Sequence, residues 1–278
     1  MGKIIWLASY PKSGNTWTRA FLHNLLLNPD KPVYINDLDT FCAGESATAH
    51  FKLHLDTPVE TWTEEDVART RPLVHAKLTE MSVDNVFVKT HCALASDHGH
   101  ATVNLEVTAG AIYIVRNPLD VAISAAHHNG LSLDQSIRLL AKPDARSKTG
   151  EKHVHEFRGS WSQHVASWTA RPHPTLHVMR YEDMLTKPRE TFGRLAKFLG
   201  LDPPEARLQN AINMSSFEVL REQERRWGFR EKSEHADAFF RAGGADQWKG
   251  KLSPKQITLT INMHRQQMMR FGYIPAGF

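Results

Sequence analysis

The stretch Trp6-Leu-Ala-Ser-Tyr-Pro-Lys-Ser-Gly-Asn-Thr-Trp17 constrains this chain more than any other. An apolar run from Ile4 to Ala8 breaks at Tyr10-Pro11. Lys12, Ser13 and Gly14 follow, and a helix-like pattern opens at Thr16-Trp17. In a strand, tight loop and helix of this kind, the loop N–H groups and the helix N-terminus converge on one anion, and Lys12 adds a full charge. The usual nucleotide loop, G-x-x-x-x-G-K-[ST], is absent: a single Gly is present and Lys12 precedes it. The segment therefore reads as a phosphate site of another design.

The rest of the chain supplies a fold for that loop. Apolar runs at Ile4–Ser9, Val86–Thr90, Ala111–Val115 and Leu176–Arg180 read as buried parallel strands. Helical patterns cover Thr16–Leu27, Pro118–Asn129, Phe157–Thr169, Pro188–Leu199, Pro204–Ile212 and Pro254–Phe271. Alternating strands and helices predict an α/β fold, a central parallel sheet with helices on both faces, in a single domain over residues 1–278. The ligand site is expected at the carboxyl ends of the strands. Two stretches resist this pattern. Ala141–His155 is polar and reads as a mobile surface loop. Arg221–Gln247 is heavily charged yet carries Trp227, Phe229, Phe239 and Phe240, which reads as a lid over a ligand or as a solvated helical excursion.

The charge balance, 34 basic against 30 acidic residues, leaves only +4 and argues against a general nucleic-acid partner. Cys42 and Cys92 show no metal or disulfide spacing. No leader pattern and no apolar run of membrane length occurs, so a soluble cytoplasmic protein with no membrane partner is expected.

Three further segments fall at the predicted sheet edge. In Lys89-Thr90-His91 an extended chain turns Lys89 and His91 to one side and Thr90 away. That pair could steady a transferring anion and remove a proton, or be a surface Lys beside a satisfied His. In Ile114–Ser124, Arg116 stands where a strand ends and a helix opens at Pro118, giving a second anion site; Ser124 shares a helix face with Asp120. Arg241-Ala242-Gly243-Gly244 offers a charge and close backbone approach, or only a flexible turn. The phosphate loop lacks a neighbouring carboxylate pattern for Mg²⁺, which a kinase needs beside a triphosphate. Two separated anion sites suit a nucleotide with separate 5′ and 3′ phosphates and a transferred group of lower charge.

In this order and spacing the motifs resemble the soluble sulfotransferases that use 3′-phosphoadenosine-5′-phosphosulfate (PAPS), including cytosolic aryl and alcohol enzymes and small bacterial ones, and the chain is expected to be a bacterial member. Tyr10–Trp17 is similar to the family's Y-P-K-S-G-T-T-W, Val115–Ser124 to its R-N-P…D…S motif, and Lys89-Thr90-His91 to its K-T-H. Tyr181–Met184 is similar to its Y-E-D-M, Ser215–Leu220 to its T-S-F-x-x-M, and Arg241–Lys249 to its R-K-G-x-x-G-D-W-K. The resemblance covers residues 4 to about 250. It implies sulfuryl transfer from PAPS, leaving PAP, to a phenol or alcohol hydroxyl without a metal. His91 would be the general base, with Lys12, Lys89 and Ser124 beside it. The 14–17 loop, Gly14 to Trp17, with the Thr16 hydroxyl, would cradle the 5′ phosphate, and Lys12, Ser13 and Asn15 would also bind the cofactor. Arg116, Ser124, Arg241, Ala242 and Gly243 would hold the 3′ phosphate. Trp17 and Phe217 would sandwich the adenine, with Tyr181, Ser215 and Leu220 around it.

Some positions depart from the pattern. Asn15 replaces a Thr, Ala242 replaces a Lys, and Asp246-Gln247 replace Gly-Asp, removing a charge near the expected 3′ phosphate. The family's dimer motif is not present as such, so a homodimer is left open. Thr40–Pro58, Ala141–Arg158 and Arg221–Asp237 would enclose the acceptor. His50, His54, Trp227 and Phe229 would be its walls, an aromatic lining suited to a phenol or hydrophobic alcohol, with a sugar, another polar metabolite or an amine also open. Two other readings stand beside this one: a P-loop small-molecule kinase using ATP-Mg²⁺, and a catalytically inactive nucleotide-binding module.

Overall fold

The computed structural model describes residues 2–278. Its main sheet has five strands: β1 (Ile4–Ser9), β2 (Cys42–Gly44), β3 (Val86–Thr90), β4 (Thr108–Val115) and β5 (Leu176–Arg180). They lie in the order β2-β3-β1-β4-β5 and every pairing is parallel. The alternation of side chains along each strand divides the core. Ile4, Trp6, Ala8, Tyr113 and Val115 face one side, where helices Glu64–Leu78, Pro118–Asn129, Trp161–Thr169 and Pro254–Arg270 pack. Leu7, Ile112 and Ile114 face the other, against Phe21, Leu22 and Leu25 of helix Asn15–Leu27 and Phe192 and Leu195 of helix Pro188–Phe198. Burial on both faces accounts for the nearly continuous apolar runs of the inner strands. The connections leave β1 toward one edge and β4 toward the other, so the crevice at their carboxyl ends is the switch point where such sheets bind ligands.

Local chemistry sets the boundaries. Helix Asn15–Leu27 starts after Gly14 (φ 104°) and stops at Asn28, which takes the left-handed conformation with its N–H bonded to Asn24 O. Helix Pro118–Asn129 is capped by the Asn117 side chain, carries Pro118 in its first turn and ends at Gly130. The helix expected from Phe157 begins at Trp161, because Ser160 and Gln163 form a capping box there. Helix Glu64–Leu78 escaped the sequence reading: Pro72 in its interior masks it, although Thr63 and Asp66 cap it and its first turn is acidic.

One expectation is corrected. Ala141–His155 is irregular but not a free surface loop. Ala145, Val154 and His155 are buried, and Arg146 and His155 both bind the Asp97 carboxylate, at 2.8 and 2.7 Å. The lid segment divides: residues up to Trp227 finish helix Phe217–Trp227, and the irregular remainder is tied down. The Glu224 carboxylate accepts from the backbone N–H groups of Phe239 and Phe240 at 2.7 and 2.8 Å.

Behind β3 lies a buried ionic group. Glu45 is fully buried and bonds Arg71, also buried; it accepts from Thr90 Oγ1 at 3.1 Å and from Cys92 Sγ at 3.4 Å. Burial would raise the Glu45 pKa, but Arg71 and His75 outweigh it and hold the carboxyl below its usual range. Its stabilisation is therefore present above the unfolded carboxyl pKa and lost as pH falls through the depressed value. Replacing Glu45 by Ala leaves Arg71 uncompensated and is predicted to lower the unfolding free energy by about 3–5 kcal/mol, read by urea denaturation.

Candidate active site

The carboxyl edge of β1, β3 and β4 opens into one cavity of ≈ 1420 Å³. After Ser9 the chain turns through Lys12 (φ 69°) and Gly14 (φ 104°), two left-handed residues that curl the loop into a concave turn. A Cβ at Gly14 would lie 2.8 Å from Tyr181 Cδ2, so only glycine fits. Lys12 Nζ lies 3.9 Å from the Phe239 ring centroid and 3.4 Å from His128 Nδ1. Burial first, and then the charge of Arg116, lower its pKa to about 8. Asn15 turns to the strand, its Nδ2 donating to Leu7 O at 2.9 Å.

At the end of β3, Lys89 and His91 both line the cavity while Thr90 points back to Glu45, as alternation requires. His91 Nδ1 lies 2.7 Å from Ser9 O. A carbonyl only accepts, so Nδ1 carries the proton and Nε2 presents a lone pair. Burial lowers the His91 pKa to about 4, with the Glu156 charge opposing and Lys89 assisting, so the ring is neutral at pH 7. Its own carbonyl accepts from His164 Nε2 at 3.1 Å, and His164 Nδ1 accepts from Tyr113 Oη at 2.8 Å.

At the end of β4, Arg116 donates to Lys12 O at 2.9 Å and Gly244 O at 3.0 Å, and its guanidinium lies 4.1 Å from the Tyr181 ring centroid. Ser124, Arg241, Ala242 and Gly243 line the same cavity. Asp120 does not: its carboxylate accepts from the N–H groups of Asp246 and Trp248, at 2.8 and 3.1 Å, and anchors the glycine-containing segment. Gly243 (φ 60°) presses on Phe217, where a Cβ would come within 2.3 Å of the ring. Trp17, Thr16, Tyr181, Phe217 and Leu220 also line the cavity.

Other candidate residues fall elsewhere. Ser215 is fully buried and its hydroxyl donates to Ala211 O at 2.8 Å, away from the cavity. Ser13 Oγ is buried with no partner among the described residues, and Ser13 does not line the cavity. His50 lines the cavity; His54 is exposed outside it. Trp227, the last residue of its helix, is 53 % exposed and meets Tyr34 edge-on. Phe229 packs with Ala20, Ile35 and Leu38 instead of facing a ligand.

Four charged residues in or beside the site were missed. Glu231 binds Lys89 Nζ at 3.2 Å and Arg19 at 2.6 Å, the latter fully buried and also bonded to Thr16 Oγ1 at 3.3 Å. Glu156 binds Arg158 at 2.7 Å, and both line the cavity. The one available signal was Arg19 itself, a charge on an otherwise buried helix face.

The profile described as a sulfotransferase domain matches residues 3–272. The chain belongs to the sulfotransferase domain family. It is 24% identical over 225 residues to sulfotransferase 1A1 of the dog, Canis lupus familiaris, an alignment covering 77% of this chain and 65% of that relative. The chain thus spans less than two-thirds of that relative's length. It is 26% identical over 267 residues to luciferin sulfotransferase of the firefly Photinus pyralis, covering 91% of this chain and 68% of the relative. The fold is similar to that of mouse sulfotransferase SULT7A1 complexed with PAP, with TM-score 0.63 and 20% identity, covering 96% and 84% of the two chains. It is also similar to retinol dehydratase in complex with androsterone and inactive cofactor PAP, with TM-score 0.67 and 18% identity, covering 95% and 80%.

The residues of this sulfotransferase-family cavity fit an extended, multiply anionic nucleotide. Lys12, Lys89 and Arg116 converge on one space, and Trp17 Nε1 and Arg116 Nε, buried donors on residues that line it, have no hydrogen-bond partner among the described residues. Because Asp120 fixes the backbone at Asp246 and Trp248, Asp120→Ala is predicted to speed amide exchange at those two residues by at least about tenfold, the loss of roughly 1.5 kcal/mol or more of charge-assisted hydrogen bonding, while the β1 amides stay protected.

Proposed function

We propose that the chain, as one domain over residues 1–278, transfers a sulfuryl group from PAPS to the hydroxyl of a small-molecule acceptor, phenolic or alcoholic. The observation that carries this reading is the convergence, at one sheet edge, of a tautomer-fixed neutral His91 with Lys12, Lys89 and Arg116. Bound there, PAPS would supply a sulfuryl group on a 5′-phosphate leaving group. Such a group carries one negative charge fewer than a phosphoryl group, so fixed cations are suited to stabilise its transfer. His91 Nε2 accepts the acceptor's hydroxyl proton as the new oxygen–sulfur bond forms. Lys12 balances charge developing on the leaving phosphate, and Lys89 steadies the sulfonate oxygens. The 14–17 loop, with the Thr16 hydroxyl, cradles the 5′ phosphate, while Arg116, Ser124, Arg241 and the Gly243 backbone hold the 3′ phosphate. Trp17 and Phe217 flank the adenine beside Tyr181 and Leu220. A cytoplasmic setting is consistent with two buried free thiols, Cys42 and Cys92. No helix among the described residues is long and apolar enough to cross a membrane.

His91→Ala is predicted to abolish transfer of labelled sulfate while keeping the calorimetric Kd for PAP within about threefold, because the ring acts on the acceptor. Arg116→Ala is predicted to weaken PAP binding by at least about tenfold, the loss of a charge-assisted pair of roughly 1.5–3 kcal/mol. Near-normal turnover by the first variant, or an unchanged Kd in the second, contradicts the assignment.

The pH dependence follows from the same groups. The base must be unprotonated, so kcat/KM for PAPS rises with pH through about 4, the His91 value. Lys12 must be charged, so it falls through about 8. A Lys12→Arg variant is predicted to lose the alkaline limb, since a guanidinium stays charged there.

A further inference from the structure

The cavity has two unlike halves. Its aromatic lining is Trp17, Tyr181 and Phe217, assigned to the nucleotide, with Phe240 beside Arg241 and Phe239 over Lys12. The other half, beyond His91, is built from residues 43–50 and 147–158. Among the described residues these two stretches contribute no Phe, Tyr or Trp to the cavity wall. They contribute small residues, Gly44 and Ala47, and a polar group: Ser46, His50, Glu156 and Arg158.

That group is built into the fold. Ala93 N–H donates to Phe157 O at 2.8 Å, which draws residues 156–158 alongside the segment that carries His91. Glu156 is 7 % exposed. Its Oε1 accepts from Ser46 Oγ at 3.1 Å and its Oε2 from Arg158 at 2.7 Å. Burial would raise its pKa, but Arg158 and then His91 hold it below the usual carboxylate range, so Glu156 is ionised at neutral pH. An ionised carboxylate only accepts, and each oxygen accepts more than one hydrogen bond. A flat hydrocarbon acceptor seated here would strip water from Glu156 and Arg158 and return no hydrogen bond. Adjacent hydroxyl groups return both kinds: O–H donors to Glu156 and oxygen acceptors to Arg158.

We propose that the acceptor is a polyhydroxylated, carbohydrate-like alcohol whose neighbouring hydroxyls are read by Glu156, Ser46 and Arg158 while the reacting hydroxyl meets His91. This rests on the sulfuryl-transfer reading above and selects, among the acceptors the sequence leaves open, a sugar-like alcohol over the expected phenol or hydrophobic alcohol. Its basis is that Trp227 and Phe229, the aromatics behind that expectation, do not line the cavity.

The test separates the two layers. Calorimetric binding of PAP to the wild-type protein comes first; its failure counts against the transfer reading. Once PAP binding is established, initial rates are measured in the absence of PAP with labelled PAPS against methyl glycosides and cyclic polyols, and against phenols, steroid alcohols and aralkylamines. A site built to hydrogen-bond hydroxyls is expected to favour the polyol set by at least about 100-fold in kcat/KM. Glu156→Gln is expected to raise KM for the polyols by about tenfold or more, acting on KM rather than kcat, with the Kd for PAP unchanged. Ser46→Ala, a milder change, is expected to raise KM about threefold or more. Preference for a phenol, steroid or amine overturns the inference. So does a protein that binds PAP and transfers to no polyol, or a Ser46→Ala variant with unaltered KM.

Discussion

Three cations crowded at one end of a sheet set the terms for this molecule. Lys12, Lys89 and Arg116 leave the ends of β1, β3 and β4 and line the same cavity. Their mutual repulsion opposes folding, and the chain offsets it from within. Glu231 reaches Lys89 and Arg19, the Phe239 ring lies against Lys12, and the carbonyls of Lys12 and Gly244 take up the Arg116 guanidinium. The repulsion also contributes, after burial, to the lowered Lys12 pKa. A site so arranged is preorganised for an anionic ligand: its donors are already aimed, and little reorganisation remains when charge develops between them.

Supporting contacts carry that arrangement outward into the fold. His91 keeps its tautomer through Ser9 O on the neighbouring strand, and Thr90 and Cys92, on either side of it, both bond to buried Glu45. Asp120 anchors the segment that brings Gly243 against Phe217, and Glu224 anchors Phe239 and Phe240. Glu45, Asp120 and Glu224 are carboxylates whose oxygens accept from backbone N–H groups or buried side-chain donors, and Ser9 adds a backbone carbonyl. Placement of the reacting groups is thus a property of the core and not of loose loops.

Much of this was legible in the chain. Strands buried on both faces announce themselves as apolar runs, and β1, β3 and β5 fall at the residues read from sequence. Asn117, Pro118 and Gly130 bound their helix through local chemistry alone. The groups that converge, Lys12, Lys89, His91, Arg116 and Ser124, stand at strand ends or on the following helix, where position along the chain predicts position in space. What could not be read depends on tertiary partners. Helix Glu64–Leu78 hides behind Pro72, and short β2 has no pattern of its own. The polarity of Ala141–His155 reads as solvent exposure until Asp97 is seen to gather Arg146 and His155. Ser215 spends its hydroxyl on its own helix, and Phe229 finds an apolar cluster, outcomes set by packing rather than by motif.

The central claim is that the two anion sites belong to one nucleotide with separate 5′ and 3′ phosphates. Calorimetric titration of the wild-type protein with PAP, with adenosine 5′-monophosphate, and with ATP in excess Mg²⁺ tests it most directly. The account predicts that PAP binds at least about 100-fold more tightly than the monophosphate, roughly 2.7 kcal/mol for the second site, and more tightly than ATP-Mg²⁺. Equal affinity for PAP and the monophosphate, or tighter binding of ATP-Mg²⁺, would contradict it.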